Sequence, residues 1–255
     1  MGTGRHGPAQ RKAGSVTSSE PIIDTSGLVK QYGGIAALQG VDFSVDRGEL
    51  HCIIGPNGAG KSTFFKLLMG IERPTAGAIR YKGRDVTSLS SFERARLGFS
   101  VKFQNIRVYP DLSVFHNLFI PLRRHHRMKE IPAQVAQLLG ELRLSGTESE
   151  TVSNLSHGQI QWLAIGMSIA AEPEILLLDE PTAGMSDDET RETAEIIRRL
   201  SATGMTILVI EHDMAFIRDL DTRTTVLHYG RLFAQGTFSE IEANDDVHQI
   251  YLGTL

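Results

Sequence analysis

The chain has almost no cysteine and no long hydrophobic run. Cys52 is the single cysteine in 255 residues, which excludes an intrachain disulfide and a zinc site built on several cysteines. The longest apolar stretch, Trp162 to Ala171, is far shorter than the roughly 20 residues that a membrane-spanning helix needs. The N-terminus also lacks the apolar core of a secretory signal. We therefore expect a reduced, cytosolic environment and a chain that does not cross a bilayer by itself.

Basic residues are not in excess over acidic ones. Lysine and arginine number 26 against 30 aspartates and glutamates, so the net charge is -4. This balance argues against a protein that coats nucleic acid non-specifically. One basic cluster, residues 123–129, has two interpretations. It is either a solvated surface or a contact with anionic lipid headgroups beneath a membrane partner.

The remaining composition is that of a globular protein. Hydrophobic residues make up 41% and charged residues 22% of the chain, whose length suits one large domain or two small ones. Residues 1–20 are polar and rich in glycine and serine. Such a segment cannot bury enough surface to offset its ordering entropy, so we predict a disordered tail. Residues 21–255 are predicted to form the folded domain.

Hydrophobic periodicity changes twice along this domain. The front third alternates strands with turns and has one predicted helix, from the glycines at 55–60 to about Met69, ended by Gly70. The middle, about 105–172, is mostly helical in pattern, and the last third alternates strands and helices. The predicted strands are 28–32, 41–45, 50–55, 79–82, 98–103, 175–178, 206–210, 224–227 and 231–234. Short apolar strands joined by helices predict an α/β fold with a parallel sheet covered on both faces.

A glycine-rich segment follows one of the predicted strands. Residues 55–63 match the pattern G-x-x-x-x-G-K-[ST], with an apolar strand before and a helix pattern after, which is the context that a phosphate-binding loop requires. The glycines let backbone N–H groups point at a phosphate, and the helix N-terminus adds partial positive charge. Lys61 is predicted to contact the β- and γ-phosphates, and the Ser62 hydroxyl to ligate Mg²⁺. The predicted nucleotide-binding residues of this loop are Gly55, Pro56, Asn57, Gly58, Ala59, Gly60, Lys61, Ser62 and Thr63.

Two acidic residues end another apolar strand. Asp179 and Glu180 directly follow the apolar residues 175–178, and ligands of open α/β sheets bind at the carboxyl ends of strands. Asp179 is suited to hold Mg²⁺ through water, and Glu180 to polarise an attacking water as the catalytic carboxylate. The alternative is a solvated acidic turn, which the neighbouring phosphate loop makes less favoured.

A third motif makes the chain resemble the ATP-binding subunits of ABC transporters. Residues 155–159, Leu-Ser-His-Gly-Gln, resemble the family signature, which is usually Leu-Ser-Gly-Gly-Gln. By this resemblance Ser156, Gly158 and Gln159 belong to a helix N-terminus that binds the γ-phosphate of a nucleotide held by the opposite subunit. His157 stands where the family usually has glycine.

The same resemblance implies roles for residues outside these motifs. Tyr32 corresponds to the aromatic residue that stacks on adenine. Gln104 corresponds to the glutamine that senses the γ-phosphate and the membrane partner, and it is expected at the metal as well. His212 corresponds to the switch histidine that contacts the γ-phosphate during catalysis. Ser186 occupies a position where the usual residue is aspartate, so that aspartate's role is not carried over.

The resemblance covers about residues 28–252 and implies an architecture and a set of partners. The expected fold is a P-loop ATPase core with an antiparallel β subdomain and a helical subdomain at about 105–172. ATP and Mg²⁺ are the expected ligands. Two ATPase subunits, identical or paralogous, are expected to meet head to tail around two ATP molecules. A separate permease would hold them at the cytoplasmic face of the membrane.

Three segments favour one group within the family. Residues 103–110 and 210–214 resemble those of branched-chain amino-acid importer ATPases, and residues 155–162 with 183–185 look like the urea-type branch of that group. We therefore expect an importer of branched-chain amino acids, urea or a related small amide, with an extracytoplasmic binding protein upstream. Two alternatives stay open: an exporter or lipid-extraction ATPase, and a soluble ABC ATPase without a transport role.

Overall fold

The structure, a computed structural model, describes residues 21–252, so the predicted tail lies outside the described residues. Within this range no helix is long and apolar enough to cross a membrane. The strands are β1 (Ile23–Tyr32), β2 (Ile35–Val45), β3 (Leu50–Ile54), β4 (Ala76–Tyr81), β5 (Arg84–Asp85), β6 (Phe99–Lys102), β7 (Ile175–Asp179), β8 (Thr206–Ile210), β9 (Arg223–His228) and β10 (Arg231–Thr237). The helices are α1 (Lys61–Leu68), α2 (Ser91–Arg96), α3 (Val114–Leu122), α4 (Ile131–Glu141), α5 (His157–Ile169), α6 (Asp187–Ala202), α7 (Met214–Leu220), α8 (Phe238–Glu242) and α9 (Asp245–Leu252).

A mixed six-stranded sheet forms the centre of the domain. Its strand order is β10-β9-β3-β8-β7-β6, and β10 pairs antiparallel with β9 while the other neighbours are parallel. Ile53 of β3 and Asp179 of β7 both pair with Ile210 of the strand between them. The carboxyl ends of three adjacent strands therefore lie at one edge, which is where sheets of this type bind ligands.

Alternate residues of the central strands enter two hydrophobic cores. In β3, Cys52 and Ile54 belong to a core shared with the helices from α3 onward. Ile53 belongs to a second core, which it shares with α1 and the front strands. Because both faces of the sheet are covered, its central strands are buried along their length and mostly apolar rather than alternating. The predicted α/β fold is confirmed.

A four-stranded antiparallel sheet, in the order β2-β1-β4-β5, covers one side of the domain. Its Phe43 packs edge-on against Phe64 of α1, with ring centroids 5.3 Å apart. Such aromatic pairs are favourable beyond their buried area. At the other end of β2, Ala37 lies against Gly60, and Tyr32 lines a cavity together with the phosphate loop.

The structure adds a helix, α2, to the front third, where periodicity predicts only one. The Ser90 hydroxyl accepts a hydrogen bond from the Glu93 N–H at 3.4 Å, and the Glu93 carboxylate accepts one from the Ser90 N–H at 2.8 Å. This reciprocal pair is a capping box. It is a local signal for a helix start that hydrophobic periodicity over six residues does not reveal.

The basic cluster at residues 123–129 forms the connection between α3 and α4. Most of its side chains are exposed. His126 faces the end of α5, with its Nε2 atom 2.7 Å from a Glu172 carboxylate oxygen. Both interpretations of this cluster, the solvated surface and the lipid contact, stay predictions.

A buried arginine ties the end of α1 to the neighbouring elements. The Arg94 guanidinium donates hydrogen bonds to the carbonyls of Leu67 and Leu68, both at 2.6 Å, and to that of Val86 at 2.7 Å. Burial lowers the pKa of Arg94 to about 10, so the group stays charged at neutral pH. Its charge lies at the C-terminus of the helix that begins at the phosphate loop, where a cation is favourable.

Arg94→Met should lower the free energy of unfolding by about 3 kcal/mol, because it leaves several buried carbonyls without a donor. Methionine keeps the apolar part of the side chain and removes the guanidinium, so most of the loss comes from the hydrogen bonds. Urea denaturation of the purified protein measures the change. The matched control is Arg96→Met on the same helix, where the side chain is exposed and a change within about 0.5 kcal/mol is expected. Equal losses in the two variants would contradict this role of Arg94.

Candidate active site

The phosphate loop connects the end of β3 to the start of α1 and needs glycine at specific points. Gly60 has φ +103°, a left-handed conformation, and a Cβ there would lie 2.6 Å from the Ala37 carbonyl oxygen. Gly58 also has a positive φ, of 82°. Residues with a Cβ rarely adopt such angles. The glycines of the motif therefore permit both the turn and the close approach of β2.

Lys61 is held against the loop that precedes it. Its Nζ atom donates to the Gly55 carbonyl at 2.5 Å and to the Pro56 carbonyl at 3.2 Å. Burial lowers the pKa of Lys61, and the nearby carboxylates of Glu180 and Asp179 oppose that shift. The loop therefore carries a positive charge that is fixed in place before any ligand arrives.

A cavity of about 360 Å³ opens in front of this loop. The antiparallel sheet supplies Tyr32 and Ile35 to its wall, and Glu180 supplies a carboxylate. The other lining residues are Ala36, Ala37, Asn57, Gly58, Ala59, Gly60, Lys61, Ser62 and Thr63. The structure thus brings most of the predicted loop residues, the predicted adenine-stacking tyrosine and the predicted catalytic carboxylate to one cavity.

Tyr32 is anchored at the edge of this cavity. Its hydroxyl donates a hydrogen bond to a carboxylate oxygen of Glu72, and the same carboxylate pairs with Lys30 at 3.2 Å. The tyrosine is 42% exposed, so part of its ring is open to a ligand. Glu72 was not predicted from the sequence, because forty residues separate it from Tyr32.

Glu180 directly follows β7 and is held by several contacts. Gln104 donates from its side-chain nitrogen to a Glu180 carboxylate oxygen at 2.6 Å. The Nδ1 atom of His212 lies 3.6 Å from the other oxygen. The structure therefore brings together three residues that lie far apart in the sequence, in keeping with their predicted place at one site.

Asp179 lies one residue earlier, at the end of β7. Burial raises its pKa, and repulsion from the neighbouring Glu180 carboxylate raises it further. Asp179 and Ser62 line a second, larger cavity together. A carboxylate, a hydroxyl and the side-chain amide of Gln104 are oxygen donors of the kind that Mg²⁺ accepts in proteins when phosphate oxygens and water complete its shell. The donor chemistry therefore fits the predicted metal.

Glu211 is a buried acid whose role sequence analysis did not identify. It accepts hydrogen bonds from the Thr182 hydroxyl at 2.5 Å and from the His212 N–H at 2.9 Å. It thereby joins the segment after Glu180 to the segment that carries His212. Its place at the end of the apolar strand β8, like that of Asp179 on β7, is the signal that could have found it.

The signature residues lie at the start of α5. Ser156 is the N-cap, and its hydroxyl accepts from the Gln159 N–H at 3.2 Å while the Gln159 side chain accepts from the Ser156 N–H at 2.9 Å. Gly158 lies against Glu189 of α6 so closely that a Cβ would overlap the carboxylate. Among the residues that the structure describes, these three do not line the nucleotide cavity of their own chain.

His157 and Ser186 both fit regular helix starts. His157 is the first residue of α5, and its Nε2 atom lies 2.9 Å from the carbonyl oxygen of Ala183. Ser186 is the N-cap of α6, where its hydroxyl accepts from the Glu189 N–H at 3.4 Å. The two departures from the family pattern therefore leave the local backbone regular.

His212→Ala should lower the ATP turnover number by at least about tenfold, because this side chain lies beside the predicted catalytic carboxylate of Glu180. The KM for ATP should change by less than about threefold, since a residue that acts only in the transition state leaves ground-state binding intact. Steady-state ATPase assays at a range of ATP concentrations measure both. Equal losses in kcat and in affinity would indicate a structural role instead. The control is His248→Ala, which removes an exposed histidine of α9.

Comparison with known proteins identifies the family to which this chain belongs. A family model described as ABC transporter matches residues 38–183. The branched-chain amino acid transport ATP-binding protein BraF of Pseudomonas aeruginosa is 34% identical over 92% of this chain and 99% of its own length. The LivG protein of Escherichia coli, which has the same description, is 33% identical over 92% of this chain and 99% of its own length.

Solved structures of ATP-binding cassettes have a similar fold. A nucleotide-free ATP-binding cassette of an ABC transporter superposes with a TM-score of 0.82 at 26% identity, covering 91% of this chain and 98% of that one. The ADP conformation of another such cassette gives a TM-score of 0.82 at 27% identity, covering 92% and 100%. The predicted family and fold are confirmed. The chain therefore belongs to the ABC transporter family, as one of its ATP-binding, ATP-hydrolysing cassettes.

Proposed function

We propose that the chain powers the import of branched-chain amino acids, urea or a related small amide. The observation that carries the proposal is its similarity, over nearly the whole length of both chains, to ATP-binding proteins of branched-chain amino acid transport. The residues around His157 resemble those of the urea-type branch, so the proposal includes urea and related small amides. An extracytoplasmic binding protein would deliver the cargo to the permease.

The geometry of the site supports a proposed role for each of its residues. Adenine stacks on Tyr32, the phosphates lie on the loop at residues 55–63, and Lys61 contacts the terminal phosphates. Glu180 polarises the attacking water, with Gln104 and His212 beside it. Bound Mg²⁺ would neutralise phosphate charge. The residues that would hold it are Ser62, Asp179 and Gln104.

The signature residues are proposed to act on a second chain. Ser156, Gly158 and Gln159 lie at the N-terminus of α5, and they are not among the described residues that line the cavity of their own phosphate loop. A helix N-terminus binds anions, so a second ATPase subunit, packed head to tail, would receive it at its γ-phosphate. Two chains would then enclose two ATP molecules, and each site would be complete only in the dimer.

A groove beside Gln104 suits contact with a permease. The groove has a volume of about 600 Å³ and includes Phe92, Phe103 and Ile71 in its lining. Phe92 is 69% exposed, and exposed apolar patches of this kind mark protein contacts. This groove is the larger cavity that Ser62 and Asp179 also line, and Arg107 contributes to it from the proposed helical subdomain at about 105–172. A permease bound there would hold the chain at the cytoplasmic face of the membrane.

Deleting the gene and measuring uptake of labelled leucine and labelled urea tests the proposal. Uptake of at least one should fall, and wild-type protein supplied in trans should restore it. The control is Lys61→Ala supplied at equal abundance, which should not restore uptake. Unchanged uptake of both, with a lipid or polymer accumulating inside the cells, would favour the exporter alternative. Failure to co-purify with any detergent-solubilised membrane protein would favour a soluble ABC ATPase.

A further inference from the structure

A buried lysine lies beneath the proposed catalytic carboxylate and has no role in the mechanism given above. Lys102 ends β6 and is only 2% exposed. Its Nζ atom donates a hydrogen bond to the backbone carbonyl of Glu180 at 3.1 Å. Lysine is almost never buried to this extent unless its charge is compensated. The carboxylates of Asp179, Glu211 and Glu180 all attract this charge, which accounts for its presence in the interior.

The backbone that Lys102 contacts is in a disfavoured conformation. Glu180 has φ +45°, the left-handed region that side chains with a Cβ rarely adopt. Its N–H donates to the Ile210 carbonyl at 3.0 Å, and its C=O accepts from Lys102 at 3.1 Å and, more weakly, from the Ala183 N–H at 3.4 Å. Both polar groups of this peptide segment are therefore fixed by neighbouring strands. Strained backbone at functional residues persists only where the surroundings determine it.

The length of lysine matches the distance that it must cover. Lys102 pairs with Leu178 in the β6–β7 register, and Glu180 lies two residues farther along the chain. Two residues of strand span roughly 6.6 Å, which is comparable with an extended lysine side chain. Lys61 lines the nucleotide cavity together with Glu180, whereas Lys102 is not among the described residues that line it. Lys102 therefore contacts the backbone of the proposed catalytic residue and is not part of the described wall of the nucleotide cavity.

We propose that Lys102 is a positioning residue for catalysis, whose hydrogen bond to the Glu180 carbonyl holds the left-handed backbone that aims the Glu180 carboxylate into the cavity. The inference rests on the proposed catalytic role of Glu180. Gln104, two residues after Lys102, holds the carboxylate itself. The segment from β6 into the following loop thus fixes Glu180 at its main chain and at its side chain.

The test replaces Lys102 by methionine, which has a similar length and no donor. In the purified chain, kcat for ATP should fall about 10- to 100-fold, since misplacing a reacting group by about 1 Å costs that much. KM for ATP and the dissociation constant for ATP should each change by less than about threefold, because no nucleotide contact is lost. Lys82→Met, which removes an exposed lysine paired with Glu174, is the control and should stay within twofold of the wild type.

A double-mutant cycle separates positioning from a general structural role. Single-turnover rates are compared for the wild type, Lys102→Met, Glu180→Gln and the double variant. Lys102→Met should slow the wild type but scarcely slow Glu180→Gln, because the glutamate whose position it disturbs is already absent. If Lys102→Met does not fold, Lys102→Gln keeps polarity at the site while its amide falls short of the carbonyl, and it should show the same pattern.

Two results would overturn the inference. The first is a folded Lys102→Met or Lys102→Gln protein that turns over ATP within twofold of the wild type. The second is an equal slowing by the Lys102 substitution in the wild type and in Glu180→Gln, which would show that Lys102 does not act through Glu180. The proposed role of Glu180 fails separately, if Glu180→Gln alone hydrolyses ATP at the wild-type rate.

Discussion

Lys61→Ala should lower ATP turnover by about 100-fold or more, because it removes a preorganised charge from the loop that is proposed to hold the transferred phosphoryl group. The Lys61 ammonium is already positioned by the Gly55 and Pro56 carbonyls, so binding ATP requires little rearrangement of this side chain. Alanine favours helix and Lys61 is the first residue of α1, so the fold should stay intact. Steady-state ATPase assays and circular dichroism of the purified variant measure the two effects.

The matched control for this experiment is Lys66→Ala on the same helix. Lys66 is exposed, and its ammonium lies 3.7 Å from a Glu72 carboxylate oxygen. Such surface pairs contribute little, so ATPase activity of the isolated chain should be unchanged. Wild-type turnover by a folded Lys61→Ala protein would mean that the phosphates bind elsewhere.

Glu180→Gln should keep ATP binding and lower hydrolysis by at least about 100-fold, because glutamine cannot accept a proton from the attacking water. Gln104 and His212 lie beside this residue and can hydrogen-bond an amide as well as a carboxylate. The proposed composite site would then form without reacting. The variant should accumulate as a dimer in the presence of ATP and Mg²⁺, and size-exclusion chromatography with and without ATP detects it.

The control is Glu174→Gln, which changes an acid paired with Lys82 and Arg47 at the opposite end of β7. This variant should hydrolyse ATP normally and show no stable dimer. A Glu180→Gln protein that stays monomeric at saturating ATP would contradict the shared site, whereas normal hydrolysis would remove Glu180 from the mechanism.

The parts of the fold and of the site that depend on one short segment of the chain could be predicted from the sequence. The phosphate loop needs a strand, its glycines and Lys61 in one short segment, so the motif contains the whole local geometry. The strand β8 was predicted with its observed bounds, since a buried parallel strand is wholly apolar and its flanks are polar. Glu180 and Asp179 were predicted because the end of a buried strand marks the ligand edge of the sheet.

Residues that act across the fold could not be predicted in the same way. Arg94 and Lys102 are charged residues whose partners come from other strands and helices, so a single segment contains no trace of their role. The position of Lys102 next to Glu180 depends on the pairing of β6 with β7, which sequence periodicity does not specify. The assignments of Tyr32, Gln104 and His212 depended on family resemblance for the same reason.

The left-handed backbone at Glu180 has a consequence for how this position evolves. Asparagine and glycine adopt such angles with less steric cost than glutamate, so either would relieve roughly 1–2 kcal/mol of strain. Selection for thermal stability alone would therefore replace Glu180. If Glu180 has its proposed catalytic role, selection for turnover would retain it, as in other enzymes where activity and stability conflict. A homologous chain that has lost the need to hydrolyse ATP is expected to change here early, and to melt at a higher temperature when it does.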